Sequence, residues 1–226
     1  MSYGLQFTNN SNVVTLDSQY ARLSVICSGR YAPTQESGLG SVTTFPTPIT
    51  SQEPPLIFVR PDTVSAQSSV SQAKVYGSPG NWTGFYVRAF NVFTTQPNGQ
   101  YFAAAFLAQP TAKYGLRTWD GSGNLLFDSG TPSALFTRAF QTWTYSKFEN
   151  DSQGDTRDYF TVDFNFPVNE FMLINNLSMA LVSASASGRY VGTVWDFPAG
   201  KLWLVTSGIT NPTFVYQSTM FAKMVV

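Results

Sequence analysis

Across 226 residues, apolar side chains never recur at i, i+3, i+4 and i+7 over the length a stable helix requires, while short alternating runs bounded by Gly, Pro, Asn and Ser occur throughout. A period of two places successive side chains on opposite faces of a strand, so such runs bury one face and wet the other. The runs LQFTN, ARLSVICS, LIFVRP, TGFYVRAFNVF, QYFAAAFLA, YGLRTW, NLLFDS, TWTYSKF, DYFTVDFNF, EFMLIN, SMALVSASA, YVGTVWDF, KLWLVTS and FVYQSTMFAKMVV all read as strands. The expected fold is all-β, an antiparallel β-sandwich of one or two packed sheets. Pro97, Asn98 and Gly99 form one hairpin-type signal, and Asp120 to Gly123 another. The Pro-, Ser-, Thr-, Gln- and Gly-rich stretches 32–55 and 63–80 read as long surface loops.

An internal repeat divides the chain. YGLQFTNNSNVVTLDS at 3–18 lies over YGLRTWDGSGNLLFDS at 114–129 without a gap, pairing Tyr3, Gly4, Leu5, Ser11, Asp17 and Ser18 with Tyr114, Gly115, Leu116, Ser122, Asp128 and Ser129. Each copy reads as a hairpin whose return strand turns Val14 and Leu16, or Leu125 and Phe127, to one side. The closing Asp accepts hydrogen bonds from the following backbone amides. Two look-alike hairpins arising by convergence are the alternative. Duplication is favoured, and it implies two related sandwich subdomains, 1–110 and 111–226, joined near Pro110.

Composition narrows the chemistry. The chain has no histidine, which removes Ser-His-Asp and Cys-His nucleophilic catalysis and the usual zinc sites. Neither a phosphate-cradling loop nor a dinucleotide fingerprint is present. Thirteen basic residues balance thirteen acidic ones, which argues against nucleic acid or an anionic membrane as partner. Charged residues make up only 12% of the chain against 15% aromatic, so little electrostatic repulsion opposes association and a homo-oligomer is expected, a trimer in first place. The single Cys27 reads as a small buried hydrophobe. The opening MSYGLQFTNN carries no secretory signal pattern, so folding in the cytoplasm is expected.

Three features are weighed as sites. Asn81, Trp82 and Thr83, in GSPGNWTG, form a candidate surface or glycan contact, with core packing as the alternative for the indole. Trp143, Trp195 and Trp203 read as core residues in strands. The acidic stretch with Glu149, Asp151, Asp155, Asp158 and Asp163 reads as an exposed connecting loop. Calcium ligation by Asp151, Asp155 and Asp158 is its minority reading, and a catalytic carboxylate pair is the remainder. No metal and no cofactor is expected.

The pattern YGL, a polar turn and a closing DS resembles the opening hairpin of short phage tail proteins, tail-fibre and tail-tip proteins among them. The segment YARLSVICSGRY resembles the element that follows it there. The likeness covers about the first 35 residues and the second copy of the hairpin. Two departures stand out: the turn TNNSN lacks the usual glycine, and the chain is too short for a fibre with a shaft. The resemblance implies a β-sandwich, oligomeric, non-enzymatic protein of the virion, placed at the distal end of a tail as a baseplate, tail-tip or fibre-associated subunit. Its implied partners are other tail proteins and a bacterial surface glycan or receptor. A receptor- or carbohydrate-binding module is the alternative, and a capsid decoration or minor head protein a weaker one.

Overall fold

The computed structural model describes residues 6–12, 14–17, 21–90, 97–150, 156–178, 181–182, 188–208 and 213–225. The first half of the chain contributes strands β1 (Gln6–Thr8), β2 (Val14–Asp17), β3 (Leu23–Tyr31), β4 (Gly40–Ile49), β5 (Leu56–Pro61), β6 (Gln67–Ser78), β7 (Asn81–Arg88) and β8 (Gly99–Phe106). The second half contributes β9 (Arg117–Trp119), β10 (Leu125–Asp128), β11 (Ser133–Phe140), β12 (Thr144–Asn150), β13 (Thr156–Asp163), β14 (Phe171–Leu173), β15 (Leu181–Val182), β16 (Gly188–Asp196), β17 (Lys201–Gly208) and β18 (Thr219–Val225). Among the described residues the only helical pieces are short 3-10 turns at Glu36–Gly38 and Asn175–Ser178.

The fold is an antiparallel β-sandwich. One layer runs β11-β18-β14-β5-β8-β3 and curls until its ends meet at Ser24 and Ser133, closing a six-stranded barrel. The other runs β12-β13-β17-β16-β6-β7-β4, with β15 alongside β16. The hairpins β1–β2 and β9–β10 stand outside both. Between the layers, Ile57, Val59, Tyr101 and Ala103 of the barrel pack on Phe85, Val87, Phe160, Trp195, Leu202 and Leu204 of the open sheet. The alternate residues Phe58, Phe102 and Ala104 turn inward with Val25, Leu173 and Ala222 and fill the barrel, Phe58 and Phe102 stacking at 4.6 Å. Strands β5 and β8 are therefore buried on both faces, which accounts for their nearly continuous apolar sequence.

The two halves repeat one another within this shared architecture. In the barrel β3-β8-β5 of the first half is matched by β11-β18-β14 of the second, and in the open sheet β4-β7-β6 is matched by β13-β17-β16. The halves meet at equivalent strands, β5 against β14 and β6 against β16. Strand β3 carries a bulge at Ile26 and β11 one at Thr137, 111 positions apart, the same offset as Tyr3 to Tyr114. Neither layer respects the expected boundary at residue 110. Each half alone would leave half a barrel and an open core, so 1–110 and 111–226 are not separate sandwiches but two related halves of one.

Several local expectations are corrected. The stretch 32–55 contains β4, and 63–80 contains β6, an interior strand of the open sheet. Strand β6 tolerates its polar sequence because the serines are small and satisfied: the Ser69 hydroxyl accepts the Phe90 N–H at 2.7 Å, and the Ser71 hydroxyl donates to the Arg88 carbonyl at 3.1 Å. Pro97, Asn98 and Gly99 make no hairpin, since β7 and β8 belong to different layers. Gly99 instead lies where a side chain would strike the Arg60 carbonyl of the neighbouring strand. Trp143 and Trp195 are buried, whereas Trp203 lies outside the core, half-buried on the outer face edge-on to Tyr159.

Candidate functional site: a clasped hairpin with exposed aromatics

The motif of the second hairpin builds a polar clasp. Asp120 closes the turn, its Oδ1 accepting the N–H groups of Ser122 and Asn124, both at 2.8 Å, while Gly123 takes φ +82°. At the other end the Asp128 carboxylate is enclosed. It accepts the N–H groups of Ala112 at 2.9 Å and Gly130 at 2.8 Å, and the Arg117 Nε–H at 2.6 Å. Arg117 also donates to the Ala112 carbonyl at 2.6 Å. Burial pushes the Asp128 carboxyl upward, but the Arg117 guanidinium and the backbone N–H groups outweigh it and hold it below its ordinary value.

Ser129 completes the clasp, its Oγ accepting the Leu116 N–H at 3.1 Å. Gly115, at φ +145°, passes so close that a Cβ there would lie 2.0 Å from that Oγ. Gly115, Asp128 and Ser129 are thus structural partners. Tyr114 is 86% exposed, and Leu116 is also exposed, so neither is a core residue. Strand β10 alternates, with Leu125 and Phe127 half-buried and Leu126 and Asp128 buried. Arg117 and Ala112, essential to the clasp, carried no signal as sites in the sequence.

The first hairpin matches the second in register, bulge and turn. Gln6, Phe7 and Thr8 pair with Asp17, Leu16 and Val14, as Arg117, Thr118 and Trp119 pair with Asp128, Phe127 and Leu125, with the bulge in the same place. Asn9 Oδ1 accepts the Ser11 N–H at 2.9 Å, as Asp120 does for Ser122. Asn12, at φ +58°, occupies the left-handed position held by Gly123, so the turn without glycine keeps its shape. Tyr3, Gly4, Leu5 and Ser18 lie outside the described residues, as does the side chain of Asp17.

The clasp presents aromatic rings beside cationic side chains. Trp119 is 52% exposed at the end of β9, and with Ala112, Lys113, Tyr114, Leu116 and Arg117 it borders a shallow hollow of about 500 Å³, the Lys113 ammonium lying 5.8 Å from the centre of the Tyr114 ring. A braced hairpin holding exposed aromatic rings beside a hollow can bind another surface.

The other candidate residues lie elsewhere. Asn81 is exposed and Thr83 half-buried, while Trp82, on strand β7, is only 8% exposed, with its Nε1–H donated to the Ser51 carbonyl at 2.9 Å. Trp82 is a wall of a cleft of about 270 Å³ shared with Pro54, Ile57, Lys74, Tyr86 and Asn175, and not a stacking platform on a loop. Trp82 is out of step with the alternating Phe85 and Val87, and the bulge at Thr83 in the pairing with β6 brings the indole into the same core as those residues. Of the acidic stretch, Glu149 pairs with Lys147 and Asp163 with Lys201, and Asp158 is buried. Asp151 and Asp155 lie outside the described residues, and among the described residues no three acidic or cysteine side chains cluster in a way that could hold a metal ion.

Comparison with known protein families, curated proteins and solved structures finds no significant match to this chain.

Proposed function

We propose that the chain is a non-enzymatic structural component of the virion at the distal end of a bacteriophage tail, a baseplate, tail-tip or fibre-associated subunit that joins copies of itself to other tail proteins and serves host attachment. The observation that carries this reading is the clasped hairpin. The residues on which the tail-protein resemblance rests are used to brace a β-arm, and that arm holds Tyr114 and Trp119 out in solvent. Large exposed aromatics on a chain with few charges belong to a surface that another protein covers.

A receptor- or carbohydrate-binding module of the tail is the second reading, favoured by the ring faces beside the hollow. The experiment that tests the proposal is mass spectrometry of purified phage particles, with adsorption measured for particles carrying Tyr114→Ser and Trp119→Ser. The chain is expected in the particle, with assembly or adsorption impaired by the double variant. Its absence from particles, or full infectivity of the variant, overturns the proposal. Direct glycan binding by the isolated chain, abolished by the same substitutions, selects the second reading.

A further inference from the structure

The open sheet ends in two edges that are built differently. At one edge β4 carries Pro46 and Pro48, neither of which has an N–H, and its pairing with β7 lapses between Thr44 and Ile49. An edge so interrupted cannot accept another strand. At the other edge, among the described residues, β12 pairs with β13 on one side only; it has no proline and is exposed along all seven residues. Strand β12 is also, like β15, an addition of the second half to the repeated pattern, since β4 is matched by β13 and no strand among the described residues of the first half corresponds to β12. Half of the backbone N–H and C=O groups of such an edge face outward without a strand to receive them.

The side chains of β12 make the edge complementary to itself. Lys147 and Glu149 lie on one face, in contact at 2.5 Å, with the Lys147 ammonium 5.0 Å from the centre of the Tyr159 ring. Phe148, on the opposite face, is 62% exposed. An antiparallel copy laid against β12 with Phe148 opposite Phe148 sets Lys147 opposite the copy's Glu149 and Glu149 opposite its Lys147. Centring on Lys147 or on Glu149 sets like charges against each other. A lone lysine on an edge repels a second copy, but a lysine followed two residues later by a glutamate attracts one in this single register.

We propose that β12 is a self-association edge, through which two copies of this chain pair antiparallel about a twofold axis at Phe148 and continue the open sheet from one subunit into the next. The backbone hydrogen bonds and the facing Phe148 rings supply affinity, and the two Lys147–Glu149 pairs supply register. The inference rests on the sheet edges alone and holds wherever in a particle the chain acts.

Sedimentation analysis of the full chain across the micromolar range tests it, with Lys147→Glu, Glu149→Lys and the double exchange K147E/E149K. A reversible dimer is expected, weakened about tenfold or more by either single reversal, because two opposite-charge pairs become like-charge pairs, and restored by the double exchange. Phe148→Cys in a Cys27→Ser background is expected to form an intersubunit disulfide on mild oxidation, while the exposed Val168→Cys in the same background is not. Lys147, Phe148, Glu149 and Val168 are solvent-exposed, and unchanged circular dichroism verifies the folding of every variant, including those in the Cys27→Ser background. A chain that stays monomeric leaves the edge to a different protein and overturns self-pairing, as does an oligomer indifferent to the charge reversals.

Discussion

Replacing Phe102 by alanine removes the ring that fills the middle of the barrel. Phe102 is fully buried, stacks on Phe58 at 4.6 Å with an interplanar angle of 18°, and meets Phe171 edge-on at 5.1 Å. Burial of a phenylalanine side chain is worth about 2–3 kcal/mol, and its aromatic contacts add about 1 kcal/mol beyond area. The neighbours Ala104 and Ala222 are too short to close over the space, so the loss is expected at about 4 kcal/mol, within the range of about 3–5 seen for such truncations. Urea unfolding followed in parallel by far-ultraviolet circular dichroism and tryptophan fluorescence is the assay. Four of the five tryptophans, Trp119, Trp143, Trp195 and Trp203, lie in the second half, whereas Phe102 lies in the first. Because both layers are built from both halves, the substitution must move the fluorescence transition as far as the dichroism transition. A loss below about 1 kcal/mol refutes the packing argument. Two separated transitions, with fluorescence unmoved, refute the shared core.

Other consequences can be measured individually. Gly115→Ala is expected to destabilise the chain by about 1–3 kcal/mol through its positive φ and its collision with Ser129 Oγ. Adding Ser129→Ala removes the collision but not the φ penalty, so the double variant should lose less than the sum of the singles; strict additivity contradicts the clasp geometry. Asp128 is held below its ordinary value in the folded chain, so its contribution is present above about pH 4 and is lost as pH falls through the lower folded value. Hydrogen exchange of the Ala112 and Gly130 amides should rise across that acid limb and lose this dependence in Asp128→Asn. Cys27 is pushed up to about 11 chiefly by burial, with the hydrogen bond to Tyr101 acting the other way, so thiol reagents at pH 8 should label it slowly in the native chain and rapidly in urea. Equal rates contradict its environment. Trp82→Ala should lower stability by about 3–5 kcal/mol, as expected of a buried indole; a stable variant would return Trp82 to the surface.

The strands that reason from sequence could reach are those whose apolar residues alternate or run on without interruption, such as β3, β5, β8, β16 and β17. Strands β4, β6 and β11 were not legible, each for a physical reason. Prolines break β4, and β6 fills its buried positions with Ser68, Ser69 and Ser71, whose hydroxyls count as polar until their partners are known. The bulge at Thr137 puts β11 out of alternation. The repeat was legible because hairpin chemistry is local: an Asx turn, a left-handed residue and a closing Asp-Ser all lie within sixteen residues. That the halves interlock was not, because which strand pairs across the centre is decided by long-range packing of β5 on β14 and β6 on β16. For the same reason Trp82 read as a loop residue beside Pro79 and Gly80, although those two residues form only the tight turn between paired strands.

The proposed role at the distal tail is tested most directly by immunogold electron microscopy of intact phage particles from the same source, using antibody raised against this chain. Label concentrated at the tail end away from the head is the predicted result. Label on the head would make the chain a capsid component and contradict the account, and unlabelled particles would remove it from the virion altogether.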